Sequence, residues 1–84
     1  MRDIMFSDHA KTQMIERGAS KKEVTEAINH GESGSVKLGR IAYRKNFQYN
    51  KKWGGRFYRV KQVMPIVKKE GDQFIVITVY TFYF

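Results

Sequence analysis

The chain has 84 residues, of which 42% are hydrophobic and 14% aromatic, so we expect a single folded domain over residues 1–84. It has no cysteine, which excludes disulfides and cysteine-ligated zinc sites. No apolar run is typical of a secretory signal or reaches the roughly eighteen residues of a transmembrane helix, so we expect a cytoplasmic protein that does not span a membrane.

The net charge of +8 lies in the second part of the chain. Residues 1–34 hold five Lys and Arg against six Asp and Glu, whereas residues 35–84 hold eleven against two. This bias indicates a polyanionic partner that contacts the second part. RNA is the partner that we expect first. An acidic antitoxin-like protein is the alternative, a membrane surface fits the charge but is not expected, and a basic charge that only maintains solubility stays open.

A short helix is predicted over about 7–17, after an extended lead-in over residues 2–5. Ser7 or Asp8 caps its first turn, and Gly18 suits the left-handed residue that ends a helix. One side of this helix is apolar and carries Phe6, Ala10 and Met14. The neighbouring side is polar and carries His9, Gln13, Glu16 and Arg17.

A second helix is predicted over about 21–29. Ser20 and Glu23 have the spacing of a capping box, in which each side chain binds an otherwise unpaired backbone N–H group. The residues expected to face the core are Val24, Ala27 and Ile28. Residues 32–35 contain Gly and Ser and are predicted to form a flexible link.

Alternating apolar and polar residues then predict strands near residues 36–38, 41–47, 57–69 and 73–83. The expected fold is α+β: two N-terminal helices packed on a curved antiparallel sheet of three to four strands.

The Gly-Asp pair at 71–72 predicts a tight hairpin in which Glu70 faces Gln73. Continuing this register pairs Met64 with Val79 and Ile66 with Ile77. The face expected to pack on the helices then carries Tyr58, Val60, Met64, Ile66, Ile75, Ile77 and Val79. The opposite face carries Arg44, Arg59, Lys61, Val63, Val67, Val76, Thr78 and Tyr80. Pro65 cannot donate a ladder hydrogen bond and marks an edge position or a bulge.

Few catalytic mechanisms fit these residues. The two histidines, His9 and His30, have no metal-ligand spacing, so we expect neither a metal nor another cofactor. Metal-independent RNA cleavage needs only an acid–base group and cations, because the 2′-hydroxyl of the substrate is the nucleophile. The residues that offer these groups are His9, Arg17, Arg59, Lys61, Thr78 and Tyr80.

Each of these residues also has a purely structural interpretation. His9 suits a helix surface, Arg17 suits the last carbonyls of its helix, and a basic sheet face can simply be solvated. A second group is typical of nucleic-acid binding, with an aromatic ring among cations: Arg44, Lys51, Lys52, Trp53 and Arg56. Trp53 fits equally well as a ring packed onto the sheet edge.

Most of the chain resembles domain-of-unknown-function family 4258, with specific residue matches at its two ends and a match in pattern between them. Members of this family begin with an F-S-x-H-A…R-M-x-E-R-G-I-S…E-V run. The matching residues here are Phe6-Ser7-x-His9-Ala10, Met14-x-Glu16-Arg17-Gly18-x-Ser20 and Glu23-Val24, followed at the other end by Val76-Ile77-Thr78-Val79-Tyr80. One departure is Gln13, which stands where arginine is common and so removes one expected phosphate contact.

The family has been grouped with the barnase–EndoU–colicin–RelE class of small ribonuclease toxins, which cleave RNA without a metal. The resemblance therefore implies a toxin-like endoribonuclease of a toxin–antitoxin or mobile-element system, with His9 as the acid–base group and Thr78 as a polar group of the closing strand. Two alternatives stay open: a non-catalytic RNA- or DNA-binding module, and a small protein-interaction domain that offers residues 80–84 to a partner strand.

Overall fold

The computed structural model describes residues 3–84. Its elements are β1 (Asp3–Phe6), α1 (Asp8–Arg17), α2 (Lys21–His30), β2 (Glu32–Ser35), a 3-10 turn (Lys37–Gly39), β3 (Arg40–Trp53), β4 (Arg56–Glu70) and β5 (Gln73–Tyr83). The strands form one sheet in the order β1-β5-β4-β3-β2. β1 runs parallel to β5, and the other three pairings are antiparallel.

The fold is α+β, but the predicted arrangement is wrong in two respects. The sheet has five strands and is mixed, not antiparallel with three or four, and a strand precedes the helices. The lead-in contributes β1 from Asp3 onward, while Arg2 lies outside the described residues. The Gly- and Ser-containing link at 32–35 is β2. Both strands have four residues and weak local signals, and they form because β5 and β3 offer unpaired backbone groups.

The helix termini match their sequence signals. The Ser7 hydroxyl accepts a hydrogen bond from the Ala10 N–H group at 3.1 Å, and Gly18 ends α1 in the left-handed conformation with φ of 77°. Ser20 and Glu23 form both halves of the capping box at the start of α2. Within residues 3–84, neither helix has the length and apolar character needed to cross a lipid bilayer.

Both helices pack on the same face of the sheet. Their buried side chains and those of three strands form one cluster: Ala10, Met14, Val24, Ile28, Tyr43, Val63, Val67, Phe74, Val76 and Val79. We call this side of the sheet the covered face. The opposite side of the sheet is called the open face.

The predicted assignment of residues to the two faces is largely reversed. The hairpin begins as expected with Glu70 opposite Gln73, but the register of β4 on β5 shifts between Ile66 and Val67. Ile77 is the extra residue, so Ile66 lies opposite Thr78, and Met64 lies opposite Tyr80. Val63, Val67 and Val76 are therefore buried against the helices, where the prediction had Met64 and Ile75. The shift lies one residue from Pro65, which agrees with the bulge alternative for this proline.

A second bulge lies near the N-terminal end of β4, where this strand lies beside Phe84. The N–H groups of Arg59 and Val60 both donate to the carbonyl oxygen of Phe84, at 2.8 and 3.2 Å. Tyr58 and Lys61, on either side, both contact residues of the covered face. Arg59 and Val60 therefore both lie on the open face.

Candidate functional site

α1 lies along the edge of β5 where β1 ends. β1 pairs with β5 only as far as Val76. Beyond it, the Ser7 hydroxyl donates to the carbonyl of Ile77 at 3.4 Å, and the Gln13 side-chain oxygen accepts from the N–H group of Val79 at 2.8 Å. Arg17 donates to the carbonyl of Val79 at 2.7 Å. Polar side chains of the helix thus satisfy a strand edge that would otherwise be free to pair with another chain.

Arg17 also reaches the aromatic ring beside its backbone partner. Its Cζ atom lies 5.2 Å from the centre of the Tyr80 ring, within the range of a cation–π contact. One N–H group of Arg17 binds the Val79 carbonyl, whereas a guanidinium carries five N–H donors in total. Because Tyr80 is 40% exposed, this contact places a fixed cation at the surface.

His9 is exposed in the first turn of α1. It follows Ser7, which is bound to Ile77, and precedes Gln13, which is bound to Val79. This stretch of α1 therefore lies beside residues 77–79 of β5. His9, Gln13 and Arg17 are spaced four residues apart, so they follow one side of the helix. We call His9, Gln13, Arg17, Thr78 and Tyr80 the edge site.

Gln13 has a structural role that an arginine would not fill. Its side chain is buried, and its oxygen accepts the hydrogen bond from the Val79 N–H group. A guanidinium has no acceptor atom. The departure from the family's opening run therefore changes how the strand edge is satisfied, in addition to removing a positive charge.

Lys61 does not belong to the edge site. It is 7% exposed, and its Nζ atom lies 2.9 Å from the Gly18 carbonyl oxygen and 2.7 Å from a carboxylate oxygen of Glu23. Its charge is therefore already neutralised on the covered face. Burial tends to raise the pKa of Glu23, but hydrogen bonds from Lys61 and Ser20 outweigh it, so this pKa lies below its usual value.

Arg59 and Thr78 share the open face with Tyr80, as the sequence predicted. Arg59 is exposed and lies beside Phe84, whereas Thr78 faces Ile66. Phe84 follows Tyr80 by four positions, about 13 Å along the strand. The edge site thus contains Thr78, while Arg59 lies at the far end of the same face.

The predicted nucleic-acid-binding group is divided by the structure. Trp53 stacks on Tyr83 with ring centres 5.0 Å apart, and its ring atoms leave no room for a side chain at Gly18. Trp53 therefore packs onto the sheet, which is the structural interpretation of this residue. Arg44 pairs with Glu32 at 3.2 Å, and both side chains are more than half exposed. Three cations near the β3–β4 turn are exposed: Lys51, Lys52 and Arg56.

Sequence reasoning missed the role of Tyr83. Its hydroxyl group donates to the carbonyl oxygen of Arg17 at 2.7 Å, which fixes the end of α1 to β5. Burial, with the neighbouring Tyr49 and Glu23, raises the pKa of Tyr83 to about 12. Its position on the covered face follows from regular alternation with Val79 and Thr81, but the sequence gives no signal for its contact with α1.

A separate cleft lies where α2 leads into β2. It has a volume of about 460 Å³ and is lined by His30, Gly31, Glu32, Arg44, Lys45, Asn46 and Gln62. Both cations in this cleft are paired with carboxylates, Arg44 with Glu32 and Lys45 with Glu26. Among the described residues, no three His, Asp or Glu side chains lie close enough together to hold a metal ion.

The sequence model of a protein family described as Domain of unknown function (DUF4258) matches residues 6–81. The chain belongs to this family. The matched range of the DUF4258 domain contains the whole edge site, including both stretches that carried the resemblance. Comparisons with curated proteins and with solved structures found no match.

Proposed function

We propose that this DUF4258 protein is a metal-independent endoribonuclease whose reacting groups lie in the edge site. The observation that carries the proposal is the contact of α1 with β5, which places a cation on Tyr80 and an exposed imidazole on the same side of the helix. The resemblance to small ribonuclease toxins supports the same conclusion. On this proposal the protein acts in the cytoplasm, and an acidic antitoxin-like protein is its natural inhibitor.

The chemistry uses the substrate's own nucleophile. The 2′-oxygen attacks the adjacent phosphorus, the bond to the 5′-oxygen breaks, and the products end in a 2′,3′-cyclic phosphate and a 5′-hydroxyl. His9 accepts the proton of the 2′-hydroxyl or donates the proton that the 5′-oxygen gains. Arg17 stabilises the charge that develops on the phosphate oxygens. Tyr80 and Thr78 supply hydroxyl groups that orient the scissile phosphate.

Two of the predicted catalytic residues, Lys61 and Arg59, have other roles in this proposal. Lys61 is neutralised by Glu23 and lies on the covered face, whereas Thr78 and Tyr80 of the edge site lie on the open face. Arg59 lies about 13 Å along the sheet from Tyr80, so it contacts a more distant phosphate of the same strand. The reaction then depends on His9 and Arg17.

The test compares the two exposed histidines. Purified protein with His9→Ala should lose about 10²- to 10⁴-fold in the rate of RNA cleavage in EDTA, because an acid–base group is removed. The matched control is His30→Ala, since His30 lies in the cleft beside β2 and should leave the rate unchanged. Full activity in the His9 variant contradicts its assigned role. Salt-dependent RNA binding without cleavage by the unmodified protein supports the non-catalytic alternative.

A further inference from the structure

The open face carries an unusual number of exposed aromatic rings. Tyr80, Phe82 and Phe84 alternate along the end of β5, and they are 40%, 42% and 63% exposed. Phe57, at the start of β4, is 59% exposed. The chain from Phe74 to its end contains no charged side chain that would keep other molecules away from this strand. A cluster of exposed rings of this kind is typical of a binding surface.

Tyr80, Phe82 and Phe84 form a row at alternate positions near the end of β5. Tyr80 and Phe82 are nearly parallel, with an angle of 19° between their planes and 6.5 Å between their centres. This separation is close to twice the roughly 3.4 Å repeat of stacked bases. One base therefore fits between Tyr80 and Phe82 and can stack on both rings.

Cations flank both ends of the row. Arg17 lies over Tyr80, and Arg59 lies beside Phe84. Lys52 faces Phe57 across the β3–β4 pair, with its side chain exposed. No Asp or Glu occurs between Glu32 and Glu70 in the sequence, so acids from this stretch do not neutralise these cations. The charge is complementary to a phosphate backbone that runs along the rings.

We propose that the open face binds single-stranded RNA, with Tyr80, Phe82 and Phe84 stacking on successive bases and Arg17 and Arg59 contacting the backbone. The inference rests on the proposed function for its choice of RNA, and it adds the form of the substrate and the surface that holds it. Bases inside an A-form duplex are already stacked on each other, and side chains cannot reach them through the deep, narrow groove. The row of about 13 Å fits on the order of three or four nucleotides, with the edge site at one end.

The experiment measures binding without cleavage. The probe is a fluorescently labelled ten-nucleotide strand with 2′-O-methyl groups, which lacks the 2′-hydroxyl nucleophile, and anisotropy gives its affinity. Phe82→Ala and Phe84→Ala should each lower the affinity at least fivefold, whereas Phe82→Trp should restore it, because stacking is lost and regained. The matched control is Ile15→Ala, an apolar side chain of α1 that is 83% exposed and lies away from the open face.

Several outcomes separate this proposal from the ribonuclease proposal. His9→Ala should bind the probe as well as the unmodified protein does, even if it has lost cleavage. Equal affinity for the strand and for its duplex overturns the inference, as does unchanged affinity in both phenylalanine variants. The inference is likewise overturned if the chain does not bind the probe but forms a dimer that Phe82→Ala dissociates, because the face is then a protein interface.

Discussion

The two faces of the sheet use similar residues in opposite ways. On the covered face, Lys61 lies against Glu23, and Phe74 is 6% exposed within the core. On the open face, Arg59 is exposed and Phe82 is 42% exposed. The same residue types are therefore structural on one face and available to a ligand on the other. The register decides which cations are neutralised and which rings are available to a ligand.

The largest expected difference in the free energy of unfolding is between two phenylalanine variants of the same strand. Phe74→Ala removes a ring from the core and should lower the free energy of unfolding by about 3–5 kcal/mol. Phe82→Ala removes a ring from the open face and should lower it by less than about 1 kcal/mol. Urea denaturation followed by circular dichroism measures both. Equal losses in the two variants would contradict the division into a covered and an open face.

A smaller effect should come from the carboxylate that neutralises Lys61. Glu23→Gln should lower the free energy of unfolding by about 1.5 kcal/mol near pH 7, because a charged hydrogen bond is weakened. Folding lowers the pKa of Glu23 below 4.5, so its contribution is complete above pH 4.5 and is lost as the pH falls through the folded value. The two proteins should therefore become equally stable in acid.

The control for this prediction is another paired carboxylate. Glu32 binds Arg44 where both side chains are more than half exposed, so Glu32→Gln should change the free energy of unfolding by less than about 0.5 kcal/mol. A difference between the Glu23 variant and the unmodified protein that does not shrink as the pH falls below 4.5 would show that the carboxylate charge is not its source.

Local signals in the sequence predicted the helices and the hairpin correctly. Ser7, Gly18 and the Ser20–Glu23 box mark helix ends through hydrogen bonds between neighbouring residues, which a sequence displays directly. The Gly-Asp turn at 71–72 likewise predicts that Glu70 pairs with Gln73. These features depend on residues that lie within a few positions of each other.

The sheet register and the strand partners depend on distant residues and were not predictable in this way. A single extra residue at Ile77 of β5 changes which residues of β4 share a face with Val79, because side chains alternate with a period of two. Lys61 thereby enters the covered face, whereas Arg59 stays on the open face because of the second bulge. The two halves of the edge site were grouped because their side chains suit RNA cleavage and because the family resemblance includes both ends of the chain, whereas no local signal predicts their contact.

The most direct test compares the two cations that the register separates. Arg59→Met and Lys61→Met are measured side by side for the free energy of unfolding and for affinity toward the 2′-O-methyl strand over a range of salt concentrations. Arg59→Met should leave stability unchanged, weaken binding and reduce the salt slope by about one, since a phosphate contact is lost. Lys61→Met should lower the free energy of unfolding by about 2 kcal/mol and leave the affinity of the folded protein unchanged. The reverse pattern, with binding lost only in the folded Lys61 variant, would show that Arg59 does not contact RNA and that Lys61 does.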